Sequence, residues 1–238
     1  MQTQDSVARR AAALCLISLR SQADNGISYG DSDRDRFREL GEGLVRWAKE
    51  QGVDQWLSKE EKKLHRKALG KWTHGEIAER FWRIESMKAL LWAIRVYAKM
   101  PTYHEVGDVN GAYDKVPYQG DISPFLAAAR LRNEKEIEAE RHRAKFLNWR
   151  CRTEVLRLEG MRPPKGDSYE KVVARALDEI DDDIPVDHDG KDILVDGVRF
   201  RDLDGDVKGN MMSVCYERHL ALQWVSSEDD WDDARADS

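Results

Sequence analysis

Twelve residues near the C-terminal end, Val214-Cys215-Tyr216-Glu217-Arg218-His219-Leu220-Ala221-Leu222-Gln223-Trp224-Val225, constrain the fold most. Read as a helix, the stretch is apolar nearly all round, the pattern of a buried helix and not of one lying on a surface. Yet Glu217, Arg218 and His219 follow one another within it. Buried charge is costly unless it is paired and hydrogen-bonded. The stretch is therefore expected to cross the middle of the fold, with its polar residues tied to partners elsewhere. Tyr216, Leu220 and Trp224 share one face and read as core.

A helix of this kind needs other helices to cover it, and the chain supplies them. Helix one is expected from Asp5 to Arg20 and amphipathic, with Asn25-Gly26 and Gly30-Asp31 marking the loop that follows. A second begins near Ser32 and places Phe37, Leu40, Leu44 and Trp47 at helical spacing. Ser58 and Glu61 form a capping box, opening a helix expected to stop at Gly70. Thr73 and Glu76 form another, ahead of a strongly apolar run from Met87 to Ala98 that Pro101 should end. Arg83 and Glu85 stand at the start of that run. Either they lie on a solvated first half of the helix, or they pair with charges on the C-terminal one.

Residues 101 to 122 read as loop. Ser123-Pro124 is a helix start, with a break expected near Asn133 and resumption to Leu158 before Gly160 and Pro163-Pro164. Asp167 or Ser168 caps one more helix, with Tyr169, Val172, Val173, Ala176, Leu177 and Ile180 as its apolar stripe.

From Asp178 to Asp206 the character changes, with twelve acidic residues against Lys191, Arg199 and Arg201. Inside this run Ile193 to Phe200 is a hairpin signal with Asp196-Gly197 at the turn. The expected architecture is mainly α: a multi-helix globular bundle forming one domain over 1–238. A small acidic loop and β-hairpin, 181–212, is inserted before the buried C-terminal helix. An acidic tail, Glu228 to Ser238, closes the chain.

A net charge of −6 argues against a nucleic-acid binder that depends on phosphate neutralisation. Cys15, Cys151 and Cys215 are far apart and show neither zinc spacing nor a disulfide framework, as expected of reduced, buried thiols in the cytoplasm. Arg9-Arg10 before the apolar Ala11–Leu19 run imitates a signal peptide, but the run is short and no small-residue cleavage site follows. No run reaches the length of a membrane span.

Catalytic signatures are sparse. The sequence has no Gly-rich phosphate loop, zinc-protease motif or nucleophile elbow. Glu140-Arg141-His142 and Glu217-Arg218-His219 repeat one tripeptide. Glu and His two apart point to different sides of a helix, so neither is expected to hold a metal. The stretches 187–192 and 202–206 have the oxygen density of a calcium loop without its closing Glu. No metal site and no cofactor is expected.

Three segments carry a resemblance. They are Trp82-Arg83-Ile84-Glu85 leading into Leu90-Leu91-Trp92-Ala93, the stretch Tyr216-Glu217-Arg218-His219-Leu220-Ala221-Leu222-Gln223-Trp224, and Trp231-Asp232-Asp233 running to Ala236-Asp237-Ser238. In these the chain resembles a bacterial domain-of-unknown-function family, number 4272. Weaker similarity lies at Trp56-Leu57-Ser58 and from Ser123 to Arg132. The acidic region is longer here than in the family pattern, and Ala234-Arg235 departs from it. The resemblance implies a mostly helical cytosolic protein and carries no established activity.

Two functions follow as expectations. The first is a non-catalytic protein that binds a basic partner, in the manner of an immunity protein or antitoxin. Its contacts would be Asp187, Asp189, Asp192, Asp196, Asp202, Asp204 and Asp206. The second is an enzyme with Arg83, Glu85, Glu217, Arg218 and His219 between two buried helices and Asp232 or Asp233 closing over them. An assembly role through a helical surface is a third possibility.

Overall fold

The computed structural model describes residues 1–30, 33–163, 166–180 and 184–236. Asp31, Ser32, Pro164, Asp181, Asp182, Asp183 and the terminal Asp237-Ser238 of the readings above lie outside them. The fold is mainly α, with one small two-stranded sheet among the described residues. No described helix is long and apolar enough to cross a membrane.

Helix α1 (Gln4–Tyr29) starts where the Thr3 hydroxyl accepts from the Ser6 N–H. It is not the amphipathic helix expected: every residue from Arg10 to Ser21 is buried. Nor does it stop before Asn25-Gly26. Gly26 stays helical and serves close packing instead, because a Cβ there would lie 2.0 Å from the Phe37 ring of α2 (Arg34–Gln51).

Both capping boxes form, Ser58 with Glu61 on α3 (Lys59–His65) and Thr73 with Glu76 on α4 (His74–Phe81). Helix α3 ends at His65, short of Gly70. The residues after it turn so that the N–H groups of Gly70, Lys71 and Trp72 all donate to Asp24 Oδ1, at 2.8, 3.1 and 3.3 Å.

The helix opened by Thr73 breaks at Trp82, and α5 (Arg83–Ala93) ends well before Pro101. Arg95 takes a left-handed φ of 63°, and the Val96 and Arg95 N–H groups donate back to Leu91 and Trp92 at 2.9 and 3.0 Å. This is a Schellman stop built without glycine. Arg132 supports it, its guanidinium donating to the carbonyls of Trp92, Tyr97 and Ala98 at 2.8, 3.0 and 2.9 Å.

The stretch 101–122 contains a short helix, α6 (Val109–Tyr113), and α7 (Ser123–Ala128) follows with Pro124 in its first turn. The chain then breaks as expected, and Asn133 caps the long α8 (Glu134–Leu158). Ser168 caps α9 (Tyr169–Asp178), whose Val173 and Leu177 are buried. The hairpin forms in the register that Asp-Gly predicts. β1 (Leu194–Val195) pairs antiparallel with β2 (Val198–Arg199), and Asp196 and Gly197 both have positive φ.

Helix α10 (Gly205–Ser226) begins earlier than the apolar stretch suggests, with the Asp204 carboxylate accepting from the Asp206 N–H at 2.8 Å. Residues 205–212, read as part of the acidic elaboration, are its first two turns. Helix α1 packs on α2, α4 and α5; α5 packs in turn on α10, α10 on α8, and α8 on α9. Helix α5 and the second half of α10, from Val214 on, are thus interior, which explains why each is apolar nearly all round.

Candidate functional site

Three consecutive residues of α10 meet three different partners, because successive side chains on a helix project about 100° apart. Arg83 Nη1 on α5 reaches both carboxylate oxygens of Glu217 at 3.1 Å. The Ser86 hydroxyl lies 2.5 Å from Glu217 Oε2 and 2.9 Å from the Glu217 carbonyl oxygen. Arg218 donates to Glu85 Oε2 from Nη2 at 2.6 Å and from Nε at 3.0 Å. Its Nη1 serves the carbonyls of Pro101 and Thr102 at 2.6 and 2.9 Å. His219, buried, places Nδ1 at 3.3 Å from the Asn148 amide nitrogen on α8.

The charges of Arg83 and Glu85 therefore pair with the C-terminal helix. Glu85 Oε1 also accepts from Lys88 at 2.7 Å, and Lys88 donates to the Val106 carbonyl. Tyr103 lies under the Arg218 guanidinium, 4.8 Å from ring centre to Cζ, and its hydroxyl donates to Glu140 at 2.9 Å. Burial pushes the Glu217 carboxyl above its ordinary range, with Arg83 and Ser86 pulling the other way. For Arg83, burial acts to lower the guanidinium, but Glu217 and its neighbours outweigh it and hold it above its usual value.

Glu85 and Arg218 are fully enclosed. The Arg83 end of the set reaches a cavity. That cavity, about 370 Å3, is lined by Glu79, Arg80, Arg83, Tyr216, Trp231 and Asp232 among others. Tyr216 is 45% exposed beside it, so it does not share the burial of Leu220 and Trp224. Asp232 does not close over the buried charges: its carboxylate accepts from the N–H groups of Lys59 and Glu60 at 2.9 and 3.4 Å, at the start of α3. Asp233 is exposed.

The acidic ribbon divides into structural and displayed carboxylates. Asp192 leaves the displayed set. It is 2% exposed, takes Arg150 of α8 at 2.7 and 2.8 Å, and accepts from the Ile193 and Arg201 N–H groups at 2.9 and 3.1 Å. Asp189 is tied to Arg199 at 2.6 Å and to the Lys191 and Asp192 N–H groups, which together draw its carboxyl down to about 2. Asp204 caps α10. Asp187, Asp196, Asp202 and Asp206 face solvent, Asp196 at 3.5 Å from His104 Nε2.

Sequence reasoning missed Tyr103, which sits in a stretch read as loop, and Asn148 and Arg150, which look like ordinary polar residues of a long helix. It also missed Arg10, buried against Glu61 and under Trp231. Cys151 and Cys215 are buried neighbours on facing helices, and burial first, then the contact with Cys151, raises the Cys215 thiol well above its ordinary value. Among the described residues no three His, Cys, Asp or Glu side chains come together as a metal site would need.

No curated protein and no solved structure matches this chain. The family model described as Domain of unknown function (DUF4272) matches residues 1–177. The match takes in α1 to α8 and the Trp82–Ala93 segment, while the Glu217-Arg218-His219 and Trp231-Asp232-Asp233 motifs lie beyond it. With most of its length matched, this chain belongs to that family, Domain of unknown function (DUF4272).

Proposed function

We propose that this protein is a non-catalytic binding protein that presents its acidic ribbon to a basic protein partner, as an immunity protein or antitoxin does. The observation that carries this reading is the contrast between Asp192 and its neighbours. A two-stranded ribbon is marginal alone, and here Asp192 braces it on Arg150 while Asp187, Asp196, Asp202 and Asp206 point to solvent. A held surface with an excess of one sign steers an oppositely charged partner and raises its association rate. The enclosure of Glu85 and Arg218, by contrast, leaves them no access to a substrate.

The test is affinity capture from native cells with the wild type and with a variant carrying D187N, D196N, D202N and D206N, which spares the bracing Asp192. A basic protein held by the wild type, released by salt, inhibited on binding and lost with the variant supports the reading. A partner held equally by both overturns it.

A second, enzymatic reading rests on the cavity beside Arg83, where a carboxyl raised by burial lies next to an arginine. A small molecule that co-purifies with the wild type and is absent from folded Arg83→Lys protein favours it. An identical content in both proteins removes it.

A further inference from the structure

A second cleft, of about 550 Å3, opens between the first turns of α1, the start of α3 and the segment after α10. Its size falls in the range of roughly 300–1,000 Å3 found for small-molecule sites. Its two sides carry opposite charge. Arg9, Arg10, Lys59 and Lys62 line it from α1 and α3, and Glu228, Asp229, Asp230 and Asp233 line it from the C-terminal segment.

No ion pair among the described residues joins these two sets. Arg9 pairs with Asp5 at 2.8 Å, Arg10 with Glu61, and Lys62 donates to the Gln55 carbonyl at 2.9 Å. Glu60, the acid on the basic side, is taken by Lys63 at 2.5 Å. Had the segment been held only by attraction between the walls, their side chains would have closed on one another. Instead Asp232 holds it through backbone N–H groups, and the opposite charges face a common space.

The aromatic lining also points to a ligand. Trp56 and Trp231 both line the cleft, and each carries a guanidinium of α1 over its ring, Arg9 at 5.2 Å and Arg10 at 4.3 Å. Arg10 is only 4% exposed and already engaged by Glu61 and the Trp56 carbonyl, so Arg9 and Lys59 are the cations open to the cleft.

We infer that this cleft binds a small zwitterion with an aromatic or apolar body, the chemistry of a free amino acid or a short peptide. The ligand carboxylate lies toward Arg9 and Lys59, its ammonium toward Asp229, Asp230 and Asp233, and its body against Trp56 and Trp231. This site is separate from the acidic ribbon, and the inference stands whether or not the ribbon has a partner.

The experiment is a calorimetric titration, with tryptophan fluorescence alongside, of the full chain with L-phenylalanine and with phenylalanyl-phenylalanine. The two single-charge analogues, 2-phenylethylamine and 3-phenylpropionate, are titrated in parallel. A zwitterion binding about tenfold tighter than either analogue, near 1.4 kcal/mol, supports the site. The tighter of the two zwitterions identifies the source. Lys59→Met and the D229N/D230N/D233N variant, all at exposed positions outside any ion pair, should each weaken zwitterion binding about tenfold, and only the first should weaken 3-phenylpropionate. No heat and no fluorescence change up to about 10 mM overturns the inference, since that is weaker than any useful affinity. So does equal binding of the single-charge analogues, or binding indifferent to both variants.

Discussion

Glu85 and Arg218, separated by 133 positions in the chain, share one carboxylate oxygen between two guanidinium nitrogens at 2.6 and 3.0 Å, and neither side chain is exposed to solvent. The pair joins α5 to α10, and the guanidinium also fixes the strand of chain at Pro101 and Thr102. Such an enclosed pair contributes little net stability as a pair, yet breaking it strands a charge.

Arg218→Ala should therefore cost about 3–5 kcal/mol in urea denaturation, because Glu85 is left with Lys88 alone and two carbonyls lose their donor. The triple variant Glu85→Leu, Lys88→Met and Arg218→Met, which leaves no charge of the set stranded, should recover part of that loss. Equal losses in the single and triple variants would refute the account.

Glu217 sets a pH dependence of known sign. Its folded carboxyl lies above the ordinary value because burial outweighs Arg83 and Ser86. Its contribution to stability is fully present below the unfolded value and is lost as pH rises through the folded one. Melting wild type and Glu217→Gln between pH 7 and pH 4 should show the wild type gaining on the variant as the pH falls. Groups held low by their partners, such as Asp189, act the other way in both proteins and cancel.

Asp192 predicts a local effect. Asp192→Ala removes the ribbon's brace, so the amides of Leu194 and Phe200, which donate to Asp187 and Ile193, should exchange with deuterium about tenfold faster or more. The amides in the interior of α5 should change far less. Uniform acceleration would mean that the ribbon is no separate unit.

At Gly26 the prediction is steric. Gly26→Ala places a methyl against the Phe37 ring and should cost about 1–3 kcal/mol in thermal denaturation, as overpacking does. Adding Phe37→Leu should return part of that loss, whereas a helix-propensity effect would make the alanine stabilising on its own.

The sequence by itself determined the features that a few neighbouring residues settle. The boxes at Ser58 and Thr73, the break at Asn133, the Asp196-Gly197 turn and the buried character of α5 and α10 all follow from residues within one or two turns of each other. It also posed the question of where the charges of Glu217, Arg218 and His219 go. Only the tertiary structure answered it, since their partners at 83, 85 and 148 lie on other helices and no local pattern selects among the candidate charges. The same reason explains the misreadings. Gly26 remains helical because Phe37 needs its bare backbone, and α5 stops at Ala93 with Arg132 supplying donors from outside. Asp192 turns inward because Arg150 of α8 lies within reach, while Asp187, Asp196, Asp202 and Asp206 stay exposed. Local rules place the ends of helices; long-range packing decides which polar groups are sealed inside and which are left to meet a ligand.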